Sequence, residues 1–349
     1  MSRSLWTNIE IEGATKAHTN GRKWSAAGVS IDSRKVQPKD IFIAFRGSRV
    51  DGHCYVADAF EKGAAAAIVE RKIDGLSEES PVLIVANVQK ALVQIACLAR
   101  KRSEAKFVAV TGSVGKTSSK NLLAKALAQF DSVHATIGNL NNHIGAPLSL
   151  ARLNGSSRFA VFELGMNNTG EIAFLSNLIR PKVALITNVH GVHLEQLRTE
   201  RAIAEAKAEI FNGLSENGSV VLNQDNPWID FLKSRAEKKG IKNIITFGED
   251  KKSDLQLLEW QPGEGKSFVK IQLKNETHQY VLSETGKHRA LNSVGVLAVV
   301  HALGLDIQHA AKCFKSISTP VGRGGQKHIN LTTEETFCLV DESYNASPV

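Results

Sequence analysis

Short apolar runs alternate with amphipathic stretches through the middle of the chain. The runs FVAVT, FAVFELG, VALITNV, SVVLN and NIITFG all begin between Lys106 and Phe247, and helix-like segments separate several of them. Buried strands that alternate with helices are typical of a parallel β-sheet with helices packed on its faces. The pattern therefore predicts an α/β fold for this region.

A smaller unit precedes this region. The segments DIFIAF, AAAAIVE and PVLIV, which begin at Asp40, Ala64 and Pro81, read as strands, and VQKALVQIACLARKRS reads as a helix. We therefore expect a small amino-terminal α/β domain over residues 1–102. A central domain of the P-loop type, a parallel sheet flanked by helices, is expected over residues 103–319.

Two further patterns follow the parallel region. Residues from Ser253 to Ser283 carry polar and apolar side chains in short alternating runs, which predicts added antiparallel strands. A helix is expected from His288 to Leu303. After Pro320 a glycine-rich turn and the strand FCLVD indicate the beginning of a third domain over residues 320–349.

Composition narrows the functional classes. The net charge is +8, but the basic residues are spread out and are not interleaved with aromatic side chains, so nucleic acid is not an expected partner. No apolar run approaches the roughly 18 residues that cross a bilayer, and the amino terminus lacks a secretory signal. Four scattered cysteines fit neither a zinc site nor a disulfide scaffold. We expect a cytoplasmic protein without membrane insertion. An anionic nucleotide substrate would account for the excess of basic residues.

The strongest chemical signal is the segment FVAVTGSVGKTSSKNLLAKALAQF, which reads as a strand, a glycine-containing turn, a Lys-Thr pair and a helix. Such turns surround phosphate oxygens with backbone amides at the positive end of a helix. Lys116 would reach the β- and γ-phosphates, and Thr117 would bind magnesium. The loop is a variant, because Val110 stands where the standard pattern has its first glycine, and an ordinary strand-turn-helix is the alternative. The residues predicted to bind the nucleotide here are Gly112, Ser113, Gly115, Lys116, Thr117 and Ser118.

Polar side chains also follow the next two predicted strands. Glu163 ends the run FAVFELG, at the sheet edge where α/β folds gather ligands, and its carboxylate could hold the magnesium of a nucleotide. The segment ITNVHGVHLE offers His190 and His193. A lone histidine in a loop is more often a hydrogen-bonding residue than a ligand, so both interpretations stay open for each.

A lysine stands on the apolar face of the predicted helix TERAIAEAKAEIFNGL. Lys207 lies four residues after Ile203 and four before Phe211, so it projects from the same stripe as these two side chains. The simpler interpretation packs the stem of the lysine and leaves its ammonium in water. The alternative interpretation is that the amine of Lys207 is desolvated so that it can react, for example with carbon dioxide to form a carbamate. The resulting anion could bridge metal ions.

Taken together, these segments resemble the Mur ligases. The resemblance extends from about Gly28 to the last residue, and the motifs come in the order of the family. One departure is Glu342, where the family usually has aspartate. The matching segments are VSIDSRKVQPKDIFIAFRG, TGSVGKTSSK, IGNLNNHIGAPLSL, FELGMNNTGEI, ITNVHGVHLE, AKAEIF, GKHRALNSVGVLAV and DESYNASP.

The resemblance implies a three-domain enzyme, and we expect the protein to be a monomer. Its first domain would bind a UDP sugar and its central domain ATP, while a Rossmann-like third domain, expected here to be truncated, would deliver the amino substrate. The implied reaction is the ATP-dependent formation of a C–N bond between UDP-N-acetylmuramoyl-tripeptide and D-alanyl-D-alanine, through an acyl phosphate, in peptidoglycan precursor synthesis. Magnesium would be the metal cofactor.

The resemblance also implies roles for individual residues. Lys116, His193 and Lys207 would be catalytic. Thr117 and Glu163 match a first magnesium site, and His193 with carbamylated Lys207 matches a second one. Asn292 matches an adenine contact, and Arg323 and Asp341 match positions near the ribose and phosphates. The uridine nucleotide would be contacted by Ser30, Asp32, Ser33 and Arg34, and the muramoyl peptide by Asn139, Asn141 and Asn142. His190 has no counterpart.

Alternatives remain inside and outside the family. The sister ligase that adds the third peptide residue and a folylpolyglutamate-synthetase-like enzyme share the general pattern, but NLNNHIG and DESYNASP favour the ligase for D-alanyl-D-alanine. A P-loop kinase or a non-catalytic nucleotide-binding module is the alternative from another class. Neither would need Lys207 on an apolar face or a cluster of asparagines.

Overall fold

The computed structural model describes residues 4–191, 199–215, 217–316, 322, 325–330, 336–341 and 343. The chain divides into two compact units. The first unit contains Met1–Ala105 and Thr136–Ala160, and the second contains Lys106–Ala135 and Val161–Val349.

The described strands and helices alternate along most of the chain. The strands are β1 Trp6–Thr7, β2 His18–Thr19, β3 Ser25–Ala26, β4 Gly28–Ser30, β5 Asp40–Ile43, β6 Ala66–Val69, β7 Val82–Ile84, β8 Lys106–Thr111, β9 Val133–Ala135, β10 Phe159–Glu163, β11 Val183–Ile186, β12 Ser219–Asn223, β13 Asn243–Gly248, β14 Leu255–Gly263, β15 Lys266–Leu273, β16 Glu276–Leu282, β17 Gly325–Asn330 and β18 Thr336–Asp341. The α-helices are α1 Asn8–Thr15, α2 Val56–Glu61, α3 Val88–Arg102, α4 Lys116–Leu127, α5 Gly145–Ala151, α6 Glu171–Ile179, α7 Glu200–Ala208, α8 Ile229–Lys238, α9 Lys287–Ala302 and α10 Ile307–Ala311. Short 3-10 helices cover Ser33–Lys35, Gly52–Tyr55, Glu209–Gly213 and Lys312–Ser316.

The first unit is built on a five-stranded sheet with the order β2-β7-β6-β5-β4. The strands from β4 to β7 run parallel to their neighbours, whereas β2 pairs antiparallel with β7. Phe42 and Ala67 point to the same face, where they join Val56 and Ala59 of α2 in one apolar cluster. The three strands predicted before residue 102 are confirmed as β5, β6 and β7, and the predicted helix as α3.

The segment Thr136–Ala160 belongs to the first unit although it follows β8 and β9 in the chain. Two hydrogen bonds contribute to this grouping. The indole N–H of Trp6 donates to the carbonyl oxygen of Ala151 at 2.8 Å, and Nε of Arg152 donates to the carbonyl oxygen of Val29 at 2.6 Å. The boundaries of compact units need not coincide with those of functional domains, so the three-domain division stays a prediction.

The second unit contains, among the described residues, a nine-stranded sheet with the order β16-β15-β14-β13-β12-β11-β8-β10-β9. Parallel pairing runs from β8 through β11, β12 and β13 to the start of β14. The strands β14, β15 and β16 are antiparallel, which confirms the prediction for Ser253 to Ser283. Helices α4 and α9 pack against each other, and α9 also lies against β11 to β14. The α/β prediction is therefore confirmed.

Two features complete the fold. The strands β17 and β18 form a separate antiparallel pair. In the part of the chain that the structure describes, no helix is both long enough and apolar enough to cross a membrane.

Candidate functional site

The loop between β8 and α4 has a backbone that only glycine can adopt without strain. Gly112 has a φ of 153° and Gly115 a φ of 81°. A Cβ atom on Gly112 would lie 1.9 Å from Oγ1 of Thr187, and one on Gly115 would lie 2.8 Å from Nδ2 of Asn292. Both positions are thus closed to larger residues by their neighbours as well as by their φ angles.

The missing first glycine of the loop has a structural explanation. Val110 lies inside β8, where it is fully buried and paired with Leu185 of β11. The turn begins only after Thr111, at Gly112. Because the position of Val110 belongs to the strand, it needs a side chain that packs in a sheet and not a flexible glycine.

The side chain of Lys116 folds back over this loop. Its Nζ donates to the carbonyl oxygens of Gly112 at 2.7 Å and of Ser113 at 3.1 Å. Lys116 is also the first residue of α4, and no side chain caps that helix at Gly115. The first amides of a helix have no acceptor inside the helix and, with the helix dipole, favour an anion. The loop therefore combines oriented amides and an ammonium at one helix end, the arrangement that binds phosphate.

The segment that follows β11 braces the loop from the side. Oγ1 of Thr187 donates to the carbonyl oxygen of Val114 at 2.6 Å, and the amide of Val114 donates to Oδ1 of Asn188 at 3.0 Å. The amide of His190 donates to Oγ of Ser113 at 2.9 Å, so this histidine contacts the loop through its backbone. The sequence pattern drew attention to the histidines of this segment and gave no signal for Thr187 and Asn188.

Two oxygen-bearing side chains lie at the same end of the central sheet as the loop. Thr117 is in the first turn of α4 and is 8% exposed, and Glu163 ends β10 and is 1% exposed. The amide of Leu164, the next residue after Glu163, donates to the carbonyl oxygen of Val110 at 2.8 Å. The carboxyl ends of β10 and β8 are therefore adjacent. A hydroxyl and a carboxylate are hard oxygen donors of the kind that magnesium prefers.

The second predicted metal site is described only in part. His193 lies outside the described residues. The described part of the chain has no group of three or more His, Cys, Asp or Glu side chains that could hold a metal ion. The predicted ligand set does not depend on such a group, because it includes the hydroxyl of Thr117 and the side chain of Lys207.

Lys207 is buried in the core of the second unit. It lies in α7 with a relative exposure of 2%, in the same apolar stripe as Ile203 and Phe211, which are 0% and 2% exposed. An ammonium that reached water would be exposed, so the interpretation with a buried stem and a solvated head is wrong. Burial holds the pKa of Lys207 well below its ordinary value, and the positive charge of Lys116 lowers it further. The structure thus places the two lysines within electrostatic range and favours the neutral amine.

The four predicted uridine contacts form one turn of the first unit. Ser30 ends β4, is 1% exposed, and donates from Oγ to the carbonyl oxygen of Asp32 at 3.0 Å. Asp32 caps the 3-10 helix that begins at Ser33, and its carboxylate accepts two hydrogen bonds of 2.9 Å from the guanidinium of Arg34. The hydrogen bond from Arg34 lowers the pKa of Asp32. The turn thus presents an exposed guanidinium and a carboxylate to a polar ligand, whereas the hydroxyl of Ser30 is buried and engaged within the turn.

The asparagine cluster lies in the loop before α5, also in the first unit. The carbonyl oxygen of Asn139 accepts the amide of Asn141 at 2.7 Å. Oδ1 of Asn142 accepts the amides of Ile144 at 3.1 Å and Gly145 at 2.8 Å. The side-chain oxygen of Asn142 is therefore used to hold the start of α5, although Asn142, like Asn139, is exposed.

The remaining predicted nucleotide contacts have different surroundings. Asn292, on α9, lies beside Gly115 at the N-terminus of α4. Asp341 ends β18, and its carboxylate accepts the amides of Gly322 and Ser343, each at 3.1 Å. Arg323 lies outside the described residues. The structure therefore brings Asn292 to the loop and shows Asp341 holding a turn.

Comparison with known proteins gives consistent matches. A model of the Mur ligase family, catalytic domain, matches residues 25–100, and a model of the Mur ligase middle domain matches residues 110–300. A relative from Rickettsia prowazekii, UDP-N-acetylmuramoyl-tripeptide--D-alanyl-D-alanine ligase, is 37% identical over 321 residues, covering 92% of this chain and 70% of the relative.

Solved structures agree with these matches. MurF from Acinetobacter baumannii superposes with a TM-score of 0.86 at 29% identity, covering 98% of this chain and 74% of that one. MurF ligase from Thermotoga maritima in complex with ADP superposes with a TM-score of 0.77 at 30% identity, covering 93% of this chain and 72% of that one.

Proposed function

The chain belongs to the Mur ligase family, and we propose from this premise that it joins D-alanyl-D-alanine to UDP-N-acetylmuramoyl-tripeptide at the expense of ATP. The observation that carries the proposal is the combination of a phosphate-binding loop with a buried, electrostatically coupled Lys207. A P-loop kinase or a simple nucleotide-binding module has no use for that lysine. Relatives and solved structures that carry this ligase name support the choice of substrates.

The functional assignment follows the predicted division of the chain. Residues 1–102 bind the UDP sugar, residues 103–319 bind ATP, and residues 320–349 belong to the domain that delivers the amino substrate. Substrates of this kind, a nucleotide-linked precursor and ATP, belong to the cytoplasm. The uridine nucleotide is met by the turn from Ser30 to Arg34, and the asparagine loop before α5 contacts the muramoyl peptide.

The nucleotide lies on the loop between β8 and α4. The amides at the N-terminus of α4 hold its phosphates, and Lys116 exchanges its two carbonyl contacts at Gly112 and Ser113 for phosphate oxygens. Asn292 contacts the base, and its position beside Gly115 at the start of α4 supports this role. Arg323 and Asp341 contribute near the ribose and phosphates.

Magnesium fits the oxygen donors at this sheet edge. Thr117 and Glu163 would hold a first ion, and His193 with Lys207 as a carbamate would hold a second. When bound, the ions offset the negative charge that builds up where a carboxylate approaches a triphosphate.

Lys207 becomes the carbamate through its neutral amine. The nitrogen lone pair forms a bond to the carbon of carbon dioxide, and the proton that leaves the nitrogen goes to solvent. Burial favours this reaction because only the neutral amine is nucleophilic. The product is an anion, so it is attracted by the positive charge of Lys116, the same charge that disfavours the protonated amine.

The reaction needs activation because a carboxylate cannot expel an oxide. The terminal carboxylate of the tripeptide attacks the γ-phosphorus, the bond to ADP breaks, and an acyl phosphate forms. The amine of D-alanyl-D-alanine then adds to the acyl carbon, loses a proton, and the tetrahedral intermediate expels phosphate. The protein supplies position and charge: Lys116 stabilises the transferred phosphoryl group, and the loop keeps its amides oriented.

The test is phosphate release with each component omitted in turn. With ATP, magnesium, UDP-N-acetylmuramoyl-tripeptide and D-alanyl-D-alanine present, the chain should release phosphate and form the pentapeptide product. In a second assay hydroxylamine replaces the dipeptide and should trap the acyl phosphate as a hydroxamate. Phosphate release that continues without the tripeptide would refute the proposal and favour the kinase or binding-module alternatives. Turnover with a UDP-muramoyl dipeptide and a diamino acid instead would identify the sister ligase.

A further inference from the structure

The segment after β11 contacts the phosphate loop at several points, and we infer that Asn188 is a positioning residue that fixes the orientation of the Val114 peptide. The inference rests on the proposed binding of a nucleotide to this loop. Asn188 lies within the segment ITNVHGVHLE, but neither the predicted site nor the proposed mechanism gives it a role.

Asn188 holds two successive amides of the loop. Its side-chain Oδ1 accepts the amide of Val114 at 3.0 Å, and its backbone oxygen accepts the amide of Ser113 at 3.0 Å. The neighbouring Thr187 donates from Oγ1 to the carbonyl oxygen of Val114 at 2.6 Å. Both polar groups of the Val114 backbone are therefore held by one short segment, which leaves the flanking peptides little freedom to rotate.

This arrangement divides the loop amides into two sets. The amides of Ser113 and Val114 are engaged by Asn188, so they are turned towards β11. The amides in the first turn of α4 have no acceptor within the helix and remain directed at the helix end, where phosphate binds. Because donors that are oriented in advance need no reorganisation on binding, the Val114 contact improves the affinity for phosphate without touching it.

The segment is itself well supported. Nδ2 of Asn226, which is 4% exposed, donates to the carbonyl oxygen of Val189 at 3.0 Å, and Nδ2 of Asn223 donates to that of Thr187 at 3.4 Å. On the other side Thr187 packs so closely against Gly112 that no Cβ fits between them. Asn188 therefore extends from a fixed backbone, which a positioning residue requires.

The experiment compares the affinities for ADP and AMP, with magnesium, by calorimetry on the full chain. Asn188→Ala should weaken ADP binding by about fivefold to tenfold, the effect of one lost hydrogen bond, and AMP binding by less than about twofold. The matched control is Asn275→Ala, an exposed asparagine in the turn between β15 and β16, which should leave both affinities unchanged. The melting temperature of each variant is measured without ligand.

A purely structural role gives a different result. Equal weakening of ADP and AMP by Asn188→Ala, or unchanged ADP binding, overturns the inference. Should Asn188→Ala fail to fold, Thr187→Val is tested in the same way, because it removes the second contact to Val114 at nearly constant volume. The inference then requires that Thr187→Val weakens ADP binding more than AMP binding. If the unchanged chain binds ADP no more tightly than AMP, the proposed nucleotide site fails, and that outcome is distinct because it appears before any substitution.

Discussion

Replacing Lys207 with methionine should stabilise the folded protein at neutral pH. The two side chains have similar length, but methionine brings no charge into a site where Lys207 is 2% exposed. Keeping the ammonium buried, or removing its proton at neutral pH, costs roughly several kcal/mol. Relief of about 2 kcal/mol of this cost would raise the melting temperature of a unit of this size by about 4 to 8 °C.

The pH dependence identifies the cause. The pKa of Lys207 is lowered in the folded protein from an ordinary value of 10.5, so the unfolded chain binds the proton more tightly. The folded state is therefore destabilised, by the buried charge or by loss of the proton, at all pH values below 10.5, and the stability of the unsubstituted chain rises as the pH approaches that value. The advantage of Lys207→Met should consequently be largest at neutral pH and shrink as the pH rises towards 10.5.

The assay is thermal unfolding in buffers free of carbon dioxide between neutral and alkaline pH, so that no carbamate contributes. Lys238→Met, an exposed lysine of α8, is the control and should shift the melting temperature little and equally at each pH. A lower melting temperature for Lys207→Met at neutral pH, or a difference that does not change with pH, would refute the reasoning. Either result would mean that the ammonium is well solvated or paired in place.

Three further outcomes are expected. Lys207→Ala should lose phosphate release in the ligation assay and regain part of it with short carboxylic acids, whereas a lack of rescue would argue against a carbamate. Gly115→Ala should weaken ADP binding by about tenfold or more in calorimetry, because its φ of 81° is strained for alanine and its Cβ would lie 2.8 Å from Asn292; unchanged affinity would contradict this. Hydrogen bonds from the amide and the ring of His53 lower the pKa of Asp51 from 3.8 to about 2, so Asp51→Asn should reduce the melting temperature above pH 3.8, and the difference should vanish as the pH falls through about 2. A deficit that persists in stronger acid would point to packing instead.

Local sequence was sufficient for β5, β6 and β7 of the first sheet, for most strands of the second and for the phosphate loop, but it did not predict the short strands β2, β4 and β9. Strands and helices follow from the spacing of apolar residues, and the glycine-containing turn before Lys116 is encoded within one short segment. The sequence also placed Lys207 on an apolar face, because the period of a helix decides which side chains share a face. Val110 was read as a departure from a motif, and only its pairing in β8 explained why a glycine is not needed there.

Only the tertiary structure decided what depends on residues that are distant in the chain. Periodicity could not separate a solvated from a buried Lys207, because the choice depends on what packs over the helix, and its 2% exposure and its repulsion by Lys116 arise from the folded second unit. The hydrogen bond between Val114 and Asn188 likewise joins the segments that follow β8 and β11. These two strands are neighbours in the sheet but distant in the chain. Apolar patterns report how each segment is buried, whereas contacts between distant side chains depend on how the segments pack.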